Sequence, residues 1–216
     1  MKINKKLLAF TSILCLLPIL VGLFYWKELP AKIPTHFNLS GQADGYSGKL
    51  EAIFFLPILM MGVHIFSVIV TSISPKSQNI GAKGKVLIYW LVPAIMIPIQ
   101  IATIFSAMKV IGSKQLTIGI GVVIALLFIV LGNYLPKMKQ NYAMGIKLPW
   151  TLDNEENWSK THRFAGKVWV IGGLMMLIDV LLQLALPYVL IPTFSVMVIA
   201  PLIYSYLLYK KQNPTP

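Results

Sequence analysis

Six apolar runs, each about twenty residues long, divide this chain into membrane-crossing helices and the loops between them. They are Leu7–Trp26, Ala52–Ser74, Val86–Ile111, Thr117–Leu135, Val168–Leu186 and Tyr188–Tyr209. At ~1.5 Å of rise per residue, one such run crosses the ~30 Å hydrocarbon core as a single helix. The chain therefore reads as all-α, a polytopic membrane protein of six transmembrane helices in three hairpins, with the lipid bilayer as its first partner. Composition agrees. Only 12% of residues are charged, where a water-soluble domain carries about 25%.

The net charge of +12 does not point to direct nucleic-acid binding, because the basic residues are scattered over loop ends and form no stripe. They follow the rule that Lys and Arg stay on the cytoplasmic side of a membrane. With the N-terminus inside, the 19 basic residues divide 14 inside to 5 outside, so both termini are expected in the cytoplasm. The first run is too long for a secretory core and lacks a small-x-small cleavage site, so it is expected to be retained. Cys15, the one cysteine, reads as an apolar filler of that first span.

Two loops are long enough to hold a function. The outer one, 27–51, is held extended by Pro30 and Pro34, and Asp44-Gly45 suggests a tight turn. His36, Phe37 and Asn38 place a titratable ring, an aromatic and an amide together. With Pro34 and Asp44 they suit either a docking patch for an extracellular ligand or a structured cap over the helices. His36 and Asp44 are too few to bind a metal, and no cofactor is implied. Asn38-Leu39-Ser40 matches the glycosylation triplet, a common chance pattern.

The inner loop, 136–167, has a turn flanked by Gly145 and Pro149, with Trp150 directly after it. Asp153 followed by Glu156 resembles a helix cap with a reaching acid, so a helix is expected from near Asn154 into the fifth span. Trp158 and His162 are four apart and share a face. This segment suits either an amphipathic platform for a cytoplasmic partner or an interfacial anchor. Glycines at 119, 121, 172 and 173 suggest close helix packing.

Several of these residues together carry a family likeness. The inner stretch Gly132-Asn133-Tyr134-Leu135-Pro136-Lys137-Met138, then Asn141-Tyr142, Gly145-Ile146-Lys147-Leu148-Pro149-Trp150-Thr151-Leu152, Glu156, Trp158 and His162-Arg163-Phe164 resembles the SdpI family of bacterial multi-pass toxin-immunity proteins. The outer stretch resembles the domain of unknown function DUF1648, through Leu29-Pro30, Ile33-Pro34, His36-Phe37-Asn38, Gly41, Asp44-Gly45 and Lys49. On that likeness residues 1–75 form a DUF1648-like region and 76–216 an SdpI-like region. The resemblance implies immunity to a secreted peptide toxin at the bacterial plasma membrane, possible signalling by sequestering a cytoplasmic autorepressor, and no enzyme activity. Recognition outside would fall to Pro34, His36, Phe37, Asn38 and Asp44. Partner binding inside would fall to Lys147, Pro149, Trp150, Glu156, Trp158 and Arg163. One departure is Lys147-Leu148, where members often have Arg-Thr before Pro-Trp. An ammonium there lacks the planar fork of a guanidinium.

Three polar residues fall near the middle of the apolar runs: His64, Gln100 and Asp179. A carboxylate at that depth needs a partner or a proton. The three suggest either a hydrogen-bonded knot that fixes helix packing or an ion path. The latter makes a small transporter or permease the alternative function. Neither a His-Glu-x-x-His pair nor a Gly-x-Ser-x-Gly elbow is present, so sequence motifs give no ground for catalysis.

Overall fold

A computed structural model describes residues 1–38, 42–184 and 186–213, with the side chains of residues 186 and 187 left undescribed. Among them are α1 (Lys5–Leu14), α2 (Leu17–Phe24), β1 (Lys32–Phe37), β2 (Ala43–Gly48), α3 (Leu56–Ile73), α4 (Ala82–Ala107), α5 (Ser113–Tyr134), α6 (Pro149–Asp153), α7 (Glu155–Leu182) and α8 (Leu186–Gln212). Six helical stretches are long and apolar enough to cross a membrane. The chain is a six-span polytopic protein; the helices end within four residues of the apolar runs, except that the fifth begins at Glu155, well ahead of its run. Leu39, Ser40 and Gly41, and the last three residues of the tail, lie outside the described residues.

The first span is two helices, because Pro18 lies in the first turn of α2 and has no N–H to continue α1. Cys15 sits at this break, fully buried. The second span opens with a π-helical turn, Glu51–Phe55. In that wider turn the Ala52 carbonyl would pair with residue 57, but Pro57 has no N–H to give. The buried Gln100 of α4 fills the vacancy, donating Nε2–H to Ala52 O at 2.8 Å. The fifth and sixth spans separate at Gln183, whose left-handed backbone (φ 53) ends α7. Pro187, the one residue left between the two apolar runs, lies inside the opening turn of α8 and does not separate them.

The chain forms two compact units. One comprises Lys2–Ile69 and Val86–Val123. Its core gathers Leu29, Ile33, Ala52, Ile53 and Ile104. The other comprises Met1, Val70–Lys85 and Ile124–Pro216. Its core includes Ala125, Met176 and Met197. Here α7 meets α5 through small residues. A methyl at Gly166 would lie 2.7 Å from the Gly132 carbonyl, and one at Gly173 would lie 3.0 Å from the Ala125 carbonyl. Lipid supplies no hydrophobic drive to associate, so such backbone approach is what joins helices. Gly172 instead makes room for the Met197 side chain of α8, whereas Gly119 faces open space.

The outer loop is more ordered than its prolines suggest. β1 and β2 pair antiparallel, from Lys32 opposite Gly48 to Phe37 opposite Ala43, with an irregular register around His36. Ile33 pins the hairpin to the core of its unit, only 1% exposed.

Candidate functional site

Two surfaces merit attention: the hairpin, and the connector between α5 and α7. In the hairpin, Asp44-Gly45 is not the turn. Both residues lie within β2, and the strands close at Asn38 and Gln42. Asn38 N–H donates to Gln42 O at 2.9 Å and Gln42 N–H to Asn38 Oδ1 at 3.0 Å. The irregular register puts Gly45 opposite His36, where a Cβ would come within 2.8 Å of the His36 Cβ. That brings His36 Nδ1 to 2.5 Å from Asp44 Oδ1. The imidazole is 74% exposed, so water and salt screen this pair and it contributes little to stability. Pro34 and Phe37 are half-buried. At the hairpin base, Lys49 donates to Trp26 O at 2.8 Å and lies over the Trp26 ring.

The connector is a buried hydrogen-bonded knot. Gln140 is its hub. Its Nε2 donates to Thr151 O and Leu152 O, its Oε1 accepts from Lys76, and its carbonyl accepts from Asn79 at 2.7 Å. Asn141 turns the chain, its Oδ1 accepting from the N–H groups of Ala143 and Met144 at 2.9 and 2.8 Å. Thr151 donates to Ile146 O and accepts from Leu148 N–H. Sequence reasoning did not single out Gln140, and it named Thr151 only within the family likeness, with no role. Asn141 carried a usable signal, since Asn two residues ahead of a bend commonly makes such a turn.

Trp158 and His162 do share a face, with rings stacked at 4.0 Å. That face is not a platform. Trp158 is 1% exposed and His162 likewise, because the segment 138–146 folds over them. Trp158 Nε1–H donates to Met138 O at 2.8 Å. His162 Nδ1–H donates to Trp158 O at 2.8 Å, and Nε2 accepts Ile146 N–H at 2.9 Å. Trp158, expected to bind a partner, is therefore covered by the connector and offers no exposed surface of its own. The cap of α7 is Asn154, which accepts Asn157 N–H at 2.9 Å, and Asp153 ends α6 instead.

Lys147, Pro149, Glu156 and Arg163 are exposed. Trp150 is half-buried, donating Nε1–H to Ser205 at 3.1 Å and stacking on Tyr209. Glu156 lies 2.5 Å from Lys160. The hydrogen bond and charge of that ammonium hold its carboxyl below the usual range.

The membrane-crossing part of α7 is its apolar run from Val168. Before that run the helix carries Glu155, Glu156, Lys160, Arg163 and Lys167, so His162 lies outside the span. Burial there lowers its pKa to about 4. The two hydrogen bonds require the neutral ring, since a protonated Nε2 has no lone pair for Ile146. Between pH 6.5 and 4 the unfolded chain binds this proton and the folded one does not. Stability is therefore complete above 6.5 and falls as the solution is acidified to 4, by roughly 3 kcal/mol in all. Thermal unfolding in detergent is expected to drop across that window, and His162→Gln should flatten the decline. A wild-type profile level from 7 to 4 would refute this.

Of the three mid-span polar residues, His64 accepts or donates through Nε2 to Thr11 at 2.8 Å. Gln100 serves Ala52. These two have separate partners within one unit, and Asp179 is buried in the other. Gln100 instead lines a recess with Phe37. Among the described residues no cluster of three His, Cys, Asp or Glu could hold a metal ion.

Comparison with known proteins gives three findings. The SdpI/YfhL protein family matches residues 137–205, and the domain of unknown function DUF1648 matches residues 13–61. Immunity protein SdpI of Bacillus subtilis (strain 168) is 30% identical over 215 residues, covering 97% of this chain and 98% of that protein. No solved structure matches.

Proposed function

The chain belongs to the SdpI/YfhL protein family, and on that footing we propose that it is a membrane immunity protein protecting its own cell from a secreted peptide toxin. The observation that carries this is the likeness along 97% of the chain to a protein named for immunity. That likeness takes in the hairpin and the connector together.

In this proposal the hairpin faces outward and the connector faces the cytosol. Three spans lie between them, an odd number, and the 14 to 5 division of basic residues favours this sidedness. The hairpin takes the toxin, through Pro34, His36, Phe37, Asn38 and Asp44. On the inner side, Lys147, Pro149, Glu156 and Arg163, with the edge of Trp150, form the face on which a cytoplasmic autorepressor is held while toxin is engaged. The hydrogen bonds of the connector keep that face in one shape.

Survival tests this directly. Cells carrying the chain are expected to outgrow empty-vector cells when challenged with apolar secreted peptides from related bacteria. Lys147→Glu with Arg163→Glu is expected to spare survival and abolish any reporter response. In a Cys15→Ala background, Thr35→Cys should react with an impermeant maleimide on intact cells and Lys147→Cys only after lysis. No protection against any such peptide, or reversed labelling, would overturn the reading.

A further inference from the structure

A recess of about 410 Å³ lies beneath the hairpin, within the unit of Lys2–Ile69 and Val86–Val123. Strands β1 and β2, the π-helical turn and helices α3, α4 and α5 all contribute to it. Its apolar walls include Phe37, Leu56, Ile99 and Ile120, and its polar groups include Glu51, Gln100 and Thr103. The volume falls in the range of sites that take a small ligand or a few side chains.

The polar groups offer mainly acceptors. Gln100, 4% exposed, directs its Nε2 to Ala52, and its Oε1 takes no hydrogen bond among the described residues. Thr103 donates its proton to Ile99 O at 2.9 Å, which leaves its oxygen as an acceptor. The Glu51 carboxylate has neither ion pair nor hydrogen bond among the described residues. Lys49, two residues away, is held on Trp26. A carboxylate in the first turn of a helix is favoured by the dipole anywhere, so Glu51 alone would say little. Its place beside an apolar recess that also holds a buried, half-used amide is what points to a ligand.

We propose that this recess takes a cationic group, a lysine side chain or a free N-terminus, carried on an apolar peptide segment. Glu51 is its counter-charge, and Gln100 Oε1 and Thr103 Oγ1 are its acceptors. This rests on the immunity reading and names the chemistry the toxin would present. A peptide suits better than a lipid because the roof is a two-stranded hairpin, whose outer edges can pair with another main chain.

The test uses the full-length protein in phosphatidylcholine nanodiscs. The probe is a fluorescein-labelled peptide, Lys-Leu-Leu-Phe-Leu with a free N-terminus. Its control is N-acetylated with norleucine in place of lysine. The cationic peptide is expected to bind saturably and at least tenfold more tightly than the control. Glu51→Gln should weaken it at least tenfold, Ile99→Trp should abolish it by filling the recess, and Glu28→Gln, at an exposed acid elsewhere, should change nothing. Equal affinity for the two peptides, unaltered binding by Glu51→Gln, or binding that survives Ile99→Trp would each overturn the proposal. So would phosphatidylethanolamine retained from cells by the wild type and lost by Glu51→Gln, which would make the occupant a lipid. Failed binding with toxin survival intact removes the recess and leaves immunity standing; binding without protection does the reverse.

Discussion

Gly145→Ala is expected to deplete the protein from the membrane. Gly145 adopts φ +106, where a Cβ is opposed by its own backbone at about 1–2 kcal/mol. Space is also lacking. The added carbon would collide with His162 Nε2 and lie 3.0 Å from the Trp158 ring. His162 Nε2 is the atom that holds Ile146 N–H, so moving the imidazole aside leaves a buried ring nitrogen and a half-buried N–H unpaired, at about 1–3 kcal/mol. Strain and lost pairing act together, because no rotation of His162 relieves φ. Against a total stability of about 5–15 kcal/mol, this is a large loss. Unfolding temperature in detergent and the level of a fluorescent fusion both report it. A variant with wild-type values would show that the connector does not pack as described.

Trp158→Ala is expected to be comparably severe, about 3–5 kcal/mol, by the loss of a fully buried indole. Trp158→Phe separates its two roles. Phenylalanine keeps most of the stacking on His162 but leaves Met138 O without its donor, so about 1–3 kcal/mol is expected. A Phe variant as damaged as the Ala variant would show that the Met138 bond dominates. A harmless Phe variant would show that packing does. Trp150 offers a contrast, since its half-buried ring rests on α8 and Trp150→Ala should cost less.

These expectations rest on features with different visibility in the sequence. The six spans were legible because apolar runs of that length have no other stable use. The start of α7 was legible to within a residue from acids followed by bases. The cap fell to Asn154 and not Asp153 because both are good caps, and α6 claimed Asp153. The hairpin was not legible. Pro34 argues against a strand, and Asp44-Gly45 is the usual signature of a turn. Gly45 is instead needed where His36 crowds the opposite strand.

The burial of Trp158 illustrates a different gap. Helical spacing places it beside His162 correctly, but spacing is silent on which side of a helix another segment will cover. That cover comes from residues up to twenty positions away, through Met138 and Ile146. Likewise nothing local to Gln100 pairs it with Ala52. The link follows from Pro57, which leaves a carbonyl in the opening turn of the preceding span without a donor.

Under the proposed function, the connector's order bears on how fast a cytosolic partner is captured. Its backbone is tied to Asn79 and α7, and its Gln140 side chain to Lys76, before any visitor arrives, so no segment has to condense during docking. Capture on Lys147 and Arg163 would then proceed in a single kinetic step, with little entropy lost on this side of the complex. Its rate would be set by electrostatic attraction and would slow as ionic strength rises.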